Sequence, residues 1–189
     1  MRIIAGRFKG MPIPAALKGT RPTTDRTKEA IFSHLSAQGY LDDARVLDLY
    51  AGTGALGFEA LSRGGRQLVA VEYSRKAASL IGQSAAKLKA SPVWQEDDSI
   101  QVITNKVERY LAAPAKAFDL IFIDPPYAME SVDCDQLLAQ LGEQGAAVSG
   151  ALVVLERSTR SPEPQLPQGW NLEESKSYGE TAVYYCVKE

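Results

Sequence analysis

The residues best equipped for chemistry in this 189-residue chain are Asp124-Pro125-Pro126-Tyr127. Two consecutive prolines fix the backbone and remove two amide donors, leaving carbonyl oxygens to face the space before the turn. An acidic side chain beside a proline carbonyl makes a pair of acceptors suited to a planar amino group. Tyr127 can stack on a ring taken out of its helix. An exocyclic amine on a base is a poor nucleophile, because its lone pair is delocalised into the ring. Two acceptors gripping its protons draw the nitrogen towards a tetrahedral shape and aim the lone pair at an electrophile, so positioning supplies much of the acceleration. Asp124 is also placed to take up the released proton.

A second constellation lies upstream, in Asp48-Leu49-Tyr50-Ala51-Gly52-Thr53-Gly54. Gly52 and Gly54 allow a tight turn and close approach of a ligand. A helix beginning just beyond them offers amide donors and a positive dipole end to a carboxylate or phosphate. Glu72 follows Gly52 by 20 residues, the position from which a carboxylate accepts hydrogen bonds from ribose hydroxyls. An adenosine-bearing ligand is therefore expected across this edge. Gly52-x-Gly54-x-x-Gly57 also reads as a dinucleotide fingerprint, which keeps NAD open as a competitor. Asp48 tilts the balance, since it would repel a pyrophosphate yet suits the ammonium end of a methionine moiety.

These residues need a frame. Short apolar runs at 45–49, 67–71, 99–103, 118–123 and 151–155 alternate with helical patterns at 54–62, 74–89, 107–111 and 133–141. Continuous apolar strands joined by helices predict an α/β, doubly wound, mostly parallel sheet covered on both faces. Both constellations then fall at the carboxyl edge of that sheet, where ligands bind. The prolines at 162, 164 and 167 forbid a helix, and 170–177 with 181–187 predict a terminal antiparallel hairpin. Residues 2–14 predict a small hairpin, followed by a helix capped by Asp25. His34 lies beside the apolar face of that helix and reads as structural. The expected organisation is a basic extension, residues 1–40, before a catalytic domain, residues 41–189.

Composition narrows the function classes. With 45% hydrophobic and 23% charged residues the chain is an ordinary globular one. No apolar run reaches the roughly 20 residues of a bilayer span, and the first residues lack the apolar core of a signal peptide, so a cytoplasmic monomer is expected. Two cysteines and a single histidine disfavour disulfide frameworks, metal clusters and Ser-His-Asp catalysis, and no metal is expected. Residues 1–28 carry seven cations against one anion, so a net −2 overall leaves −8 on the remainder. A basic arm on an acidic body points to a polyanionic partner.

Taken together, Asp48–Gly54, Glu72 and Asp124–Tyr127 resemble the motifs of class I S-adenosyl-L-methionine-dependent methyltransferases. Arg2-Ile3-Ile4-Ala5-Gly6-Arg7-Phe8-Lys9-Gly10 and Arg21-Pro22-Thr23-Thr24-Asp25-Arg26-Thr27-Lys28-Glu29 narrow the likeness to the bacterial RsmD family. That resemblance implies methyl transfer to the N2 amine of one guanine in 16S ribosomal RNA, within the assembled small subunit and with neighbouring ribosomal proteins as candidate contacts. It implies that Asp48, Tyr50, Ala51, Gly52, Thr53, Gly54, Glu72, Tyr73 and Asn105 hold the cofactor. Asp124, Pro125, Pro126 and Tyr127 would hold the target, and Arg7, Lys9, Arg21, Arg26 and Lys28 the RNA phosphates. Many class I enzymes carry an acidic residue after the third strand; Thr104-Asn105-Lys106 has none, so Asn105 or a nearby amide is assigned the adenine. The competing readings are an adenine-N6 methyltransferase on DNA or another RNA, an NAD-dependent oxidoreductase, and a nucleic-acid-binding protein with a vestigial cleft.

Overall fold

The computed structural model describes residues 1–15, 25–113 and 116–189. Its elements are α1 (Asp25–Ala37), β1 (Arg45–Leu49), α2 (Ala55–Ser62), β2 (Gln67–Glu72), α3 (Arg75–Lys89), β3 (Ser99–Thr104) and α4 (Val107–Leu111). Then come β4 (Phe118–Ile123), α5 (Ser131–Glu143), β5 (Ala147–Ser158), β6 (Trp170–Tyr178) and β7 (Thr181–Lys188). Among the described residues the strands form one sheet in the order β3-β2-β1-β4-β5-β7-β6. β3, β2, β1, β4 and β5 run parallel, while β7 is antiparallel to β5 and to β6. The order reverses at β1, between β2 and β4, which opens a crevice at the carboxyl ends of these strands.

Burial follows the two-residue alternation of each strand. Val46, Ala70, Leu120, Phe122, Leu152 and Val154 pack with α1, α2 and α3 on one face. Leu47, Val71, Ile121, Ile123, Val153 and Leu155 pack with α4 and α5 on the other. The inner parallel strands β1, β2, β4 and β5 therefore lose both faces to helices, which is why they read as apolar runs, whereas β3 at the edge is largely exposed. α3 starts at Ser74, whose Oγ accepts from the Ala77 amide at 3.3 Å, and ends in Lys87 and Lys89, which suit the negative end of its dipole. No helix among the described residues is long and apolar enough to cross a membrane.

The chain start forms the small hairpin expected there: Arg2 and Pro12 make an antiparallel bridge, flanked by Ile3 N donating to Met11 O at 3.0 Å and Ile13 N to Met1 O at 2.9 Å. It is not an outlying arm: Ile3, Phe8 and Ile13 belong to the same core as α1 and the sheet. Glu59, fully buried on α2, accepts from the amides of Ile4 at 2.8 Å and Ala5 at 2.9 Å. Gly6 sits at φ +81°, and a Cβ there would lie 2.0 Å from the Ser62 carbonyl oxygen, so no other residue fits this seam. Asp25, expected just before α1, is its first residue. His34 ties α1 to the terminal hairpin, with Nδ1 3.0 Å from Glu174 and its ring centroid 4.2 Å from that of Tyr185.

Candidate active site at the carboxyl edge

Leu49 ends β1, and the chain turns at once. Tyr50 takes φ +60°, a left-handed conformation that strains a bulky residue and that packing must hold. The Ala51 amide donates to Val71 O at 3.0 Å, and Gly54 N to Ala51 O at 2.7 Å, closing the loop that carries Gly52 and Thr53. Gly54 caps α2 at φ +75°, where a Cβ would press to 2.7 Å from the Phe58 ring. Tyr50 Oη bonds Glu108 at 3.2 Å, and burial, with the Glu108 charge next, pushes its hydroxyl well above the ordinary value.

Two carboxylates brace this loop. Glu72 accepts from Gly52 N at 2.8 Å with one oxygen and from Ser74 N at 2.7 Å with the other, joining the ends of β1 and β2. Asp48 is 2% exposed and accepts from Gly57 N at 3.0 Å. Asp48 was expected beside the loop as a partner for an ammonium group, and the start of α2 to offer its amides to a ligand. Instead the residue lies beneath the loop and takes one of those amides itself. Burial pushes the Asp48 carboxyl up to about 8, the charges of Asp124 and Glu72 add to the rise, and the Gly57 N–H opposes it. Tyr73 projects into solvent, 69% exposed, with Lys106 Nζ 5.6 Å from its ring centroid. Asn105 donates its backbone amide to Glu72 O at 3.2 Å, and its side-chain oxygen accepts from Lys106 N at 2.9 Å.

The second constellation stands beside the first. β4 delivers Asp124, half-buried, and Pro125, buried, while Tyr127 is 67% exposed. The Pro126 carbonyl accepts from Met129 N at 2.9 Å and shapes the turn, keeping its second lone pair. Arg157 Nη2 donates to Met129 O at 3.0 Å and fixes that turn from β5. Asp124, Pro125 and Tyr127 line a cavity of about 400 Å³ together with Arg26, Glu156 and Tyr178. Glu156, Arg157 and Tyr178 did not emerge from the sequence. The available signal was Glu156-Arg157 directly after the apolar run 151–155, a charged pair at the carboxyl end of a buried parallel strand. Among the described residues no group of three or more side chains is arranged to hold a metal ion.

The five basic residues expected on RNA scatter. Arg7 is spent inside the protein: its guanidinium pairs with Asp98 and donates to Leu61 O at 3.2 Å and Gly65 O at 3.0 Å. These partners precede β2 and β3 or end α2, so Arg7 and its neighbour Lys9 lie at the opposite end of the sheet from Asp124. Lys28 has a side chain only 2% exposed, 3.6 Å from Asp25, and cannot reach a partner. Lys9 is exposed, Arg26 lines the cavity beside Asp124, and Arg21 lies outside the described residues.

Comparison with known proteins gives a consistent picture. The profile of the family described as Conserved hypothetical protein 95 matches residues 1–187. The chain is 31% identical over 191 residues to Ribosomal RNA small subunit methyltransferase D of Escherichia coli strain K12, covering 100% of this chain and 90% of that protein. It is 32% identical over 183 residues to the Haemophilus influenzae protein of the same name, covering 95% and 89%. A solved structure of Escherichia coli yhhF superposes with a TM-score of 0.82 at 31% identity, covering 100% of this chain and 98% of that one.

Proposed function

The chain belongs to the Conserved hypothetical protein 95 family, the RsmD family, and from that membership we propose that it is an S-adenosyl-L-methionine-dependent ribosomal RNA methyltransferase acting on the N2 amine of a guanine in 16S RNA. Its substrate is the small ribosomal subunit, and its compartment the cytoplasm. The observation that carries the reading is adjacency: a brace of backbone-held carboxylates under a glycine loop stands next to Asp124-Pro125 at the mouth of a cavity sized for a base.

The cofactor fits the residues present. Glu72 is presented at the end of β2 with its two oxygens oriented by amides, and each keeps a lone pair for a ribose hydroxyl. Gly52 leaves space: a Cβ there would meet only Tyr50 O, at 3.8 Å. Tyr73 offers an exposed ring face, and Asn105 stands beside it at the end of β3. Asp48 beneath the loop is the counterion for the ammonium group, which would draw off the proton that burial lets it keep. When bound, S-adenosyl-L-methionine supplies a sulfonium methyl, an electrophile that requires in-line approach rather than activation.

The remaining work falls to the chain itself. The acceptors for the amine are the Asp124 carboxylate and the Pro125 carbonyl, while the Pro126 carbonyl, bonded to Met129 N, holds the turn. Together they bind its two N–H groups and turn the lone pair out of the ring plane. Asp124 then takes the proton shed as the new N–C bond forms. Tyr127 stacks on the extruded base, and Arg26 meets the RNA backbone at the cavity rim.

The test is methyl transfer from labelled cofactor to small subunits from cells lacking this protein, to naked ribosomal RNA and to duplex DNA, followed by digestion to nucleosides. N2-methylguanosine from small subunits is the expected product. Label in N6-methyladenine, or in DNA alone, would overturn the assignment.

A further inference from the structure

Three exposed cations gather where β2 and β3 end: Arg75, Lys76 and Lys106. The register brings them together. Glu72 and Thr104 are the last Cα partners of the parallel β2–β3 pair, so Tyr73–Lys76 and Asn105-Lys106 leave the sheet side by side. Lys106 Nζ stands 5.6 Å from the centroid of the Tyr73 ring, a cation over an aromatic side chain that is itself 69% exposed. No acid interrupts residues 73–91, which hold Arg75, Lys76, Lys87 and Lys89 in a chain that is net acidic beyond its first 28 residues.

Local physics disfavours these positions. A helix dipole favours anions in the first turn and cations in the last. α3 obeys at its end, with Lys87 and Lys89, and reverses at its start, where Arg75 and Lys76 are the first two residues and no acid is present. Lys106 stands at the N-cap of α4, where its side chain makes no capping hydrogen bond. Neighbouring carboxylates do not compensate. Glu72 is held by the Gly52 and Ser74 amides, and Glu108 accepts from Tyr50. Arg66 and Arg160, by contrast, pair with Asp43 at 2.6 Å and Glu180 at 3.0 Å. Among the described residues none of Arg75, Lys76 and Lys106 has such a partner. Charges so placed do not help the chain to fold, which points their use outward.

Resting on the ribosomal RNA reading above, we propose that Arg75, Lys76 and Lys106 form a docking surface for the RNA phosphate backbone on the cofactor side of the site. β2 and β4 flank β1, so this surface lies roughly 10 Å from Asp124 along the edge, two strand spacings away. A strand whose base enters the cavity thus lays a neighbouring phosphate here, while Arg26 meets the backbone at the cavity rim. The substrate is held on both sides of the reacting amine by contacts that position it without reading sequence.

The test measures binding of small subunits to the full chain across a salt series. One variant carries Arg75→Gln, Lys76→Gln and Lys106→Gln. A control with the same change of charge carries Lys9→Gln, Lys87→Gln and Lys89→Gln, all exposed and at the opposite end of the sheet. The first variant is expected to bind about 10- to 50-fold more weakly at low salt, with the slope of log K against log salt reduced by about 2. The control should change both quantities far less. The thermal midpoint of the first variant is expected to hold or rise, because two cations leave the positive end of α3. Equal effects in the two variants, or a parental slope in the first, overturn the proposal. A lowered midpoint, or weakened binding of S-adenosyl-L-methionine alone, overturns it too by assigning the three cations to folding or to the cofactor. A photo-crosslinker in place of Lys76 is expected to capture RNA, and capture of ribosomal protein alone is equally fatal. All these outcomes leave the guanine-N2 reading intact, which falls together with the proposal only if the parent places no N2-methylguanosine in small subunits.

Discussion

At the β1–β2 end of the carboxyl edge, the acidic side chains are locked before any ligand arrives. Asp48 is on the Gly57 amide, and Glu72 is on those of Gly52 and Ser74. At the β4–β5 end, Asp124 and Glu156 line a cavity of about 400 Å³ walled by the start of α1, the ends of β4 and β5, and the β6–β7 turn. The first region is a cradle made of one loop and its braces, suited to a small ligand of constant shape. The second is assembled from four segments distant in sequence and is open enough to admit a base presented by a much larger body. The contrast teaches that donor and acceptor are held by separable structures sharing one sheet edge.

The hardest test of that separation is Asp124→Ala. Removing one of two groups that act on the reacting amine is expected to lower methyl transfer to small subunits by about 10³-fold, measured as single-turnover rate. Next in size is Arg7→Ala, which removes one partner of an ion pair whose Asp98 side chain is fully buried. It should cost about 3 kcal/mol in denaturant unfolding, whereas Lys9→Ala should cost almost nothing. If Arg7→Ala left stability intact and weakened only subunit binding, the placement of the chain start would be wrong.

Asp48→Asn probes the cradle through pH. The unfolded carboxyl loses its proton near 3.8, while the folded one keeps it until about 8. The folded state thus binds more protons across that window, and stability of the ligand-free protein falls as pH rises through it, levelling off above about 8. Asn has no proton to lose, so the variant should be more stable than the parent at neutral pH, with the gap closing as pH falls towards 4. A parallel pH dependence in the two proteins would contradict the buried, raised carboxyl. The smallest effect is expected of Glu72→Ala, which removes a charged acceptor and the tie between Gly52 and Ser74. Cofactor binding should weaken about 10- to 50-fold by calorimetry.

How much of this was legible depended on whether a feature was contiguous. The Gly52–Gly54 loop and the Asp124–Tyr127 turn each lie within one strand-to-helix connection, so local sequence carries them. The inner parallel strands were legible for a related reason, since both of their faces are buried and their residues are mostly apolar. Glu156 was not, because its meaning comes from register with Asp124 across β4 and β5 rather than from spacing. The basic arm misled for the converse reason. Charge alone does not say that Arg7 will be drawn in by Asp98, 91 residues away, or that Lys28 will be covered. Pro126 stands in the same contiguous motif, and only the fold shows its carbonyl accepting from Met129 N.

The most direct measurement is calorimetric titration of S-adenosyl-L-methionine into Asp124→Ala and Glu72→Ala beside the parent chain. If the two regions are separable, Asp124→Ala binds the cofactor within about twofold of the parent, because its side chain serves the target, while Glu72→Ala binds far more weakly. Comparable loss in both variants would contradict the account, since it would place Asp124 in the cradle and leave the amine without its acceptor.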